Sequence, residues 1–228
     1  MVNEFVSIKN LSVKFNEIVL EKIFLSIKKG EFVSIVGKSG AGKTTLLNSI
    51  GGLVKYSGEI RCPARIGMVF QDHSLLPWLN VEQNIALGLE KTDFTAIRKI
   101  VEAIGLTGKE KSYPFELSGG QKQRAAIGRA LAIKPQLLLL DEPFANLDTF
   151  TKIMMQEWIN KLLSKSQITT ILVTHDIEEA ILLSDRCFVI KNNQFEEEFS
   201  IPFLKPRNPS VRYSKEFQQL KQKILQKC

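Results

Sequence analysis

Several apolar stretches of this chain stop abruptly at a polar or glycine-rich break, and the breaks hold most of its reactive side chains. Residues 31–36 read Glu-Phe-Val-Ser-Ile-Val, alternating and then merging into an apolar run, as a buried strand does. Residues 136–140 carry four consecutive leucines and run into Asp141 and Glu142, with Pro143 closing the strand. Such a run suits a parallel strand covered on both faces. Residues 169–174 are β-rich and end at His175, and residues 66–70 predict a shorter strand ending at Gln71. Helical patterns cover residues 45–50 and 124–131, and Phe217, Leu220, Ile224 and Leu225 recur at helical spacing near the C-terminal end.

The break after residue 36 is Gly37-Lys38-Ser39-Gly40-Ala41-Gly42-Lys43-Thr44, with Thr45 opening the helix. A strand, a loop of the form G-x-x-x-x-G-K-[ST] and a helix form the context in which backbone N–H groups cradle phosphates. The helix N-terminus adds partial positive charge. Lys43 is then expected to reach the β- and γ-phosphates and the Thr44 hydroxyl to ligate Mg²⁺. Open α/β sheets bind ligands beyond the carboxyl ends of their strands, which is where Asp141 and Glu142 fall. Asp141 would hold the metal, and Glu142 would polarise the attacking water. His175, at another strand end, either caps the helix that follows or orients that water beside the γ-phosphate.

The 228 residues suit one large α/β domain or a domain with an inserted subdomain. We expect an antiparallel β-layer from residues 1–30 and 55–70, a helical insert at about 72–125, and a core resuming to about 200. A domain over 1–204 and a basic helical tail over 205–228 follow. No apolar run nears the ~20 residues a membrane span needs, and no signal peptide is expected. Cys62, Cys187 and Cys228 are scattered, which suits a reducing compartment better than a disulfide framework. The net charge of +7 invites a nucleic-acid partner, but residues 205–228 hold seven Lys or Arg against one Glu and account for most of it. Such a tail is either a solvated helix face or a contact for anionic lipid.

One further segment, Leu117-Ser118-Gly119-Gly120-Gln121, lies between the phosphate loop and the acidic strand end. It is a second anion cradle with a serine hydroxyl, small glycines and a helix start, but no lysine. In this order and spacing the chain resembles the ATP-binding subunits of ABC transporters over residues 1 to about 200. The resemblance implies that two subunits stack head to tail, each signature Ser118–Gln121 covering the γ-phosphate on its partner's loop. It places Phe15 against adenine, makes Gln71 the glutamine that touches Mg²⁺ and water, and puts Asp148 of Ala145-Asn146-Leu147-Asp148 at the dimer seam. Lys38 and Asn146 depart from the commoner proline and small residue of relatives.

The stretch Asp72-His73-Ser74-Leu75-Leu76-Pro77-Trp78-Leu79-Asn80-Val81 is apolar yet loop-like, as a partner-binding groove or a packed internal loop would be. Within the resembled family it receives a coupling helix from the membrane-spanning permease, a separate chain. Leu76-Pro77-Trp78-Leu79, and the segment Pro206-Arg207-Asn208-Pro209, are similar to importers of nitrate, sulfonate, taurine and thiamine precursors. The reading is therefore an ATP- and Mg²⁺-dependent ATPase pairing with a second ATP-binding subunit, most simply a copy of itself. It would be peripheral at the cytoplasmic face of the inner membrane, be fed indirectly by a solute-binding protein and use no nucleic acid. The alternatives are the ATPase of a lipoprotein-release or cell-division complex, and a soluble nucleic-acid ATPase.

Overall fold

A computed structural model describes residues 4–89, 93–164, 166, 168–205 and 207–228. In chain order the strands are β1 (Glu4–Lys14), β2 (Ile18–Lys28), β3 (Phe32–Val36), β4 (Ser57–Arg61), β5 (Ile66–Val69), β6 (Leu137–Asp141), β7 (Thr169–Thr174), β8 (Arg186–Lys191) and β9 (Gln194–Ser200). The helices are α1 (Lys43–Ile50), α2 (Val81–Ala86), α3 (Phe94–Ala103), α4 (Gly119–Ala132), α5 (Thr149–Ser164), α6 (Ile177–Leu183) and α7 (Lys215–Lys227). Strands β2-β1-β4 make an antiparallel sheet, and β5-β6-β7-β3-β8-β9 make a second sheet that is parallel except for β9.

The leucine run explains how the larger sheet is covered. Successive side chains of a strand point to opposite faces. Leu138 and Leu140 pack with Phe144, Met155, Ile159 and Ile181 on one face. Leu137 and Leu139 pack on the other with Leu46, Leu47 and the inner residues of β1 and β2, such as Leu11 and Ile23. A third cluster joins Val81 and Ile85 of α2, Ile97 and Val101 of α3 and Ala125 and Ala132 of α4 into a helical layer.

One expectation is corrected here. Residues 66–69 do not join the antiparallel layer; β5 pairs in parallel with β6, from Ile66 opposite Leu137 to Val69 opposite Leu140. Beside the leucine run Val69 is fully buried with Leu138 and Leu140, Ile66 and Met68 pack on the opposite face with Leu137 and Leu139, and the pairing delivers Gln71 to the same edge as Asp141.

That edge is the carboxyl end of four adjacent strands. In the order β5-β6-β7-β3 the chain leaves the sheet into Gln71, Glu142, His175 and the glycine loop. Val36 is level with Thr174, and Asp141 with Val173, so the three central exits lie side by side.

The C-terminal segment packs back on the core. Phe217 and Ile224 of α7 are fully buried and Leu220 packs against the same cluster, while Leu225 is exposed. Three of its seven Lys and Arg pair with acids elsewhere in the chain: Lys205 with Asp185, Lys221 with Glu178 and Lys227 with Glu197. Arg207 is buried and donates to the carbonyls of Ile181, Ser184 and Phe203. Pro206, part of the segment that resembles the importers, lies outside the described residues.

Candidate active site

The glycine loop wraps the start of α1. Gly42 caps this helix at φ 93°, a left-handed value, and a Cβ there would lie 2.8 Å from the Val19 carbonyl oxygen, so only glycine fits. No side chain caps the helix, which leaves its first-turn N–H groups to a ligand. Lys43 is buried and its ammonium donates to the carbonyls of Gly37 and Lys38, each at 2.9 Å. Burial pulls the Lys43 pKa below the ordinary lysine value, against the nearby charges of Glu142 and Asp141.

Asp141 lies just beneath. It is almost fully buried and accepts a hydrogen bond from the Thr44 hydroxyl at 3.0 Å. Desolvation pushes its pKa above the usual carboxylate range, although the Thr44 bond and Lys43 work in the other direction. A hydroxyl and a carboxylate side by side are the hard oxygen donors that Mg²⁺ takes, typically with phosphate oxygens completing the shell.

Glu142 has φ 43°, rare for a residue with a side chain and at odds with the extended backbone a following proline favours. Such strain costs of order 1–3 kcal/mol and gathers at functional positions. Its N–H remains bonded to the Val173 carbonyl at 2.9 Å. The turn brings the carboxylate between two partners: Oε1 stands 3.9 Å from the Lys43 ammonium and Oε2 2.9 Å from His175 Nδ1. Ser39, Gly40, Gly42, Lys43, Thr44, Thr45, Gln71, Glu142 and His175 thus line one cleft of about 480 Å³. Val19, at the start of β2, lines it too, with no sequence signal beyond its place before an apolar run.

Gln71 is placed by more than its strand. The backbone beyond it turns through two left-handed residues, His73 and Ser74, whose carbonyls accept from the Arg129 guanidinium of α4 at 3.2 and 2.6 Å. Asn146 donates to the Gln71 carbonyl at 3.3 Å. Farther along the loop, buried Asn84 bonds the backbone of Leu76, Leu79 and Asn80. Trp78 is left 68 % exposed. Arg129 and Asn84 had no signal in the sequence, because their partners are carbonyls of an irregular segment.

Other expected site residues lie elsewhere. Phe15 is 59 % exposed on the turn between β1 and β2 and does not line the cleft. Ser118, Gly119, Gly120 and Gln121 also stand apart from it. Ser118 caps α4 by accepting from the Gln121 N–H at 3.4 Å, and the Gln121 side chain accepts from the Ser118 N–H at 3.0 Å, a reciprocal capping box. A Cβ on Gly120 would meet Thr151 of α5 at 2.6 Å, so this residue is small because α4 and α5 start against each other. Asp148 caps α5 by accepting from the N–H groups of Phe150 and Thr151 at 3.1 Å, and the Thr151 hydroxyl together with these N–H groups holds its carboxylate below the usual range.

A mainly parallel sheet with a glycine loop, an aspartate beneath it and a strained glutamate at one edge defines a nucleotide-binding protein of the P-loop class. Residues 20–145 match the family described as ABC transporter, and the chain belongs to that family. It is 40 % identical to "Aliphatic sulfonates import ATP-binding protein SsuB 1" of Paracoccus denitrificans, over 98 % of this chain and 93 % of that one. It is 44 % identical to an SsuB 3 protein of the same description from Paraburkholderia xenovorans, over 85 % of this chain and 80 % of the other. Among solved structures it matches a dimeric ATP-binding cassette, MJ0796, in a post-hydrolysis state bound to ADP and Pi. That match has TM-score 0.76 and 33 % identity over 87 % of this chain and all of that one. A second match is cbiO1 of Clostridium perfringens, part of the ABC transporter complex cbiONQ, at TM-score 0.78 and 28 % identity, covering 96 % and 94 % of the two chains. As a member of this family the chain is an ATPase that binds ATP.

Proposed function

We propose that this chain is the ATP-hydrolysing subunit of a bacterial importer of aliphatic sulfonates. It works as a pair of identical subunits on a separate membrane-spanning permease at the cytoplasmic face of the inner membrane, with a solute-binding protein feeding the permease. The names of the relatives support the importer class and the substrate class. Residues 1–204, including the helical layer at about 72–125, act as the ATPase unit, and 205–228 form a segment packed back onto it.

The observation that carries the catalytic reading is the strained Glu142, whose carboxylate stands between Lys43 and His175 in the cleft. Lys43 and the free N–H groups of α1 bind the phosphates; the positive charge and fixed dipoles need no reorganisation as negative charge shifts during transfer. Glu142 Oε2 accepts a proton from water aligned with the γ-phosphate, and His175 holds that carboxylate in place. Gln71, fixed through Asn146 and the Arg129-bound turn, orients the water from the other side. Bound Mg²⁺ supplies charge neutralisation on the phosphates, and Thr44 and Asp141, with Gln71 at the rim, are the residues that would hold it.

Both the signature Ser118–Gln121 and Asp148 belong to the surface that faces the second subunit. Phe15, exposed beside the loop side of the antiparallel layer, takes the adenine face. The permease docks on the loop around exposed Trp78, which Asn84 and Arg129 hold to the layer that moves with Gln71.

Affinity capture of the chain from detergent-solubilised membranes of its native cell, with identification of bound proteins, tests this reading. A multi-span permease encoded with a sulfonate-binding protein is the expected partner. Recovery with nucleic acid, or with a lipoprotein-release or cell-division protein, would leave the ATPase and overturn the importer.

A further inference from the structure

One cluster of charged side chains lies outside the cleft and beside the strand end that carries His175. Lys152, in the first turn of α5, donates to Asp176 Oδ2 at 2.8 Å and reaches Glu179 Oε1 at 2.7 Å. Glu179 is 2 % exposed, and its Oε2 accepts from the Thr174 hydroxyl at 2.5 Å. The Thr174 Oγ1 in turn accepts from the Asp176 N–H at 3.0 Å. Asp176 Oδ1 accepts from the N–H groups of Glu178 and Glu179, at 2.8 and 3.3 Å, and so starts α6. Both neighbours of His175 in the chain are therefore gripped through their side chains.

All these contacts lie within residues 174–179 except the two made by Lys152, which arrives from the helix that begins right after the Ala145–Asp148 loop. The half-buried carboxylate of Asp176, at the cap of α6, and the buried one of Glu179, in its first turn, repel each other, and a single ammonium between them turns that repulsion into a clasp. Burial alone would lower the Lys152 pKa, but its bonds to Asp176 and Glu179 outweigh this and hold it above the ordinary lysine value. The ammonium is thus charged throughout the neutral range.

We propose that Lys152 is a positioning residue for hydrolysis: its clasp on Asp176 and Glu179 fixes where His175 stands against Glu142 and ties that placement to the loop ahead of α5. Lys152 does not line the cleft, and its ammonium is bonded to Asp176 and Glu179, so it acts on the rate of the chemical step and not on nucleotide binding. The inference rests on the reading of His175 and Glu142 given above.

The test is steady-state ATPase kinetics of the whole chain with Mg²⁺, for wild type, Lys152→Met, Lys152→Arg, His175→Ala and the double variant Lys152→Met/His175→Ala. ATP affinity is measured alongside. Lys152→Met is expected to lower kcat about tenfold or more while KM and ATP affinity stay within about twofold, a split that marks loss of an interaction felt in the transition state. Lys152→Arg, which keeps the charge, restores kcat to within about threefold. Because Lys152 works through His175, the double variant is no slower than His175→Ala alone, a non-additivity that coupled residues show. Lys161→Met, on the exposed side of the same helix, is the control for loss of a lysine charge and leaves kcat unchanged. If Lys152→Met does not fold, Asp176→Asn, which retains an oxygen for the α6 cap, is expected to give the same kcat-only loss. A full additional loss in the double variant, a rise in KM matching the fall in kcat, or a wild-type rate in Lys152→Met or its Asp176→Asn substitute overturns the proposal while the His175 reading stands. A wild-type rate in His175→Ala sinks both.

Discussion

Helices α1 and α4 both begin at glycine-rich turns, yet their first turns are finished in opposite ways. At α1 no side chain caps the N–H groups, the flanking Lys43 is buried, and acids stand across the cleft. At α4 the chain satisfies its own donors through the box between Ser118 and Gln121. A helix N-terminus becomes an anion site only where the chain has not already used its donors. The α1 end therefore keeps its donors for a phosphate held within the same chain. The α4 end is held closed, but loosely: the Ser118–Gln121 bond of 3.4 Å is at the long limit for a hydrogen bond. On the function proposed above, a second chain's γ-phosphate displaces this bond, and α4 is the half that waits for a partner.

The contrast is broken most severely at the open site. Glu142→Gln keeps the shape of the cleft but cannot accept a proton, so ATP turnover is expected to fall by about 10²–10⁴-fold with binding retained. Rapid-quench or phosphate-release assays check this, and an unchanged rate would remove Glu142 from its role. Lys43→Ala is expected to raise the Kd for ATP by about 30-fold or more, the loss of ~2 kcal/mol or more typical of truncating a buried charge contact. Fluorescent-nucleotide titration reads it directly.

Changes at the closed site are smaller. Gly120→Ala drives a methyl toward Thr151 and shifts the start of α5, so it should slow hydrolysis severalfold with little change in ATP affinity. The reverse pattern would mean that Gly120 touches nucleotide rather than α5. Ser118→Ala removes the cap and costs about 1 kcal/mol, or roughly 2–4 °C in Tm for a chain of this size, by calorimetry.

Asp141→Asn sharpens the energetic side of the comparison. Its pKa is raised in the folded state by burial, so the ionised form costs stability at every pH above the ordinary carboxylate range. The neutral variant should unfold at a higher temperature than wild type at neutral pH, an advantage that fades as pH falls and wild-type Asp141 protonates, while hydrolysis is lost. A variant less stable than wild type at neutral pH would show that the Thr44 bond outweighs desolvation.

The same contrast marks what could be read from the sequence. The loop from Gly37 to Thr44 and the Asp141–Glu142 pair are local patterns whose strands announce themselves by burial, and the structure brings them to one edge. The strand at 66–69 was misplaced because its sheet is chosen by pairing with β6, far along the chain. The backbone turn at Glu142 runs against the local rule for a residue before proline, as strained functional positions do. The grip of Lys152 on Asp176 and Glu179 spans more than twenty residues and follows no spacing rule. The sequence leaves the basic tail as a solvated helix face or a lipid contact, because the acids that pair with three of its cations, Asp185, Glu178 and Glu197, come from elements only the fold brings near.

The central claim is that the cleft of one copy is completed by the α4 end of another. Light scattering of Glu142→Gln with ATP and Mg²⁺ tests it most directly, alongside the same protein carrying Ser118→Arg. The account predicts a mass of two chains with ATP, one chain without it, and one chain in the Ser118→Arg variant under both conditions. A protein that binds ATP yet keeps the mass of a single chain, or a dimer indifferent to Ser118→Arg, would contradict it.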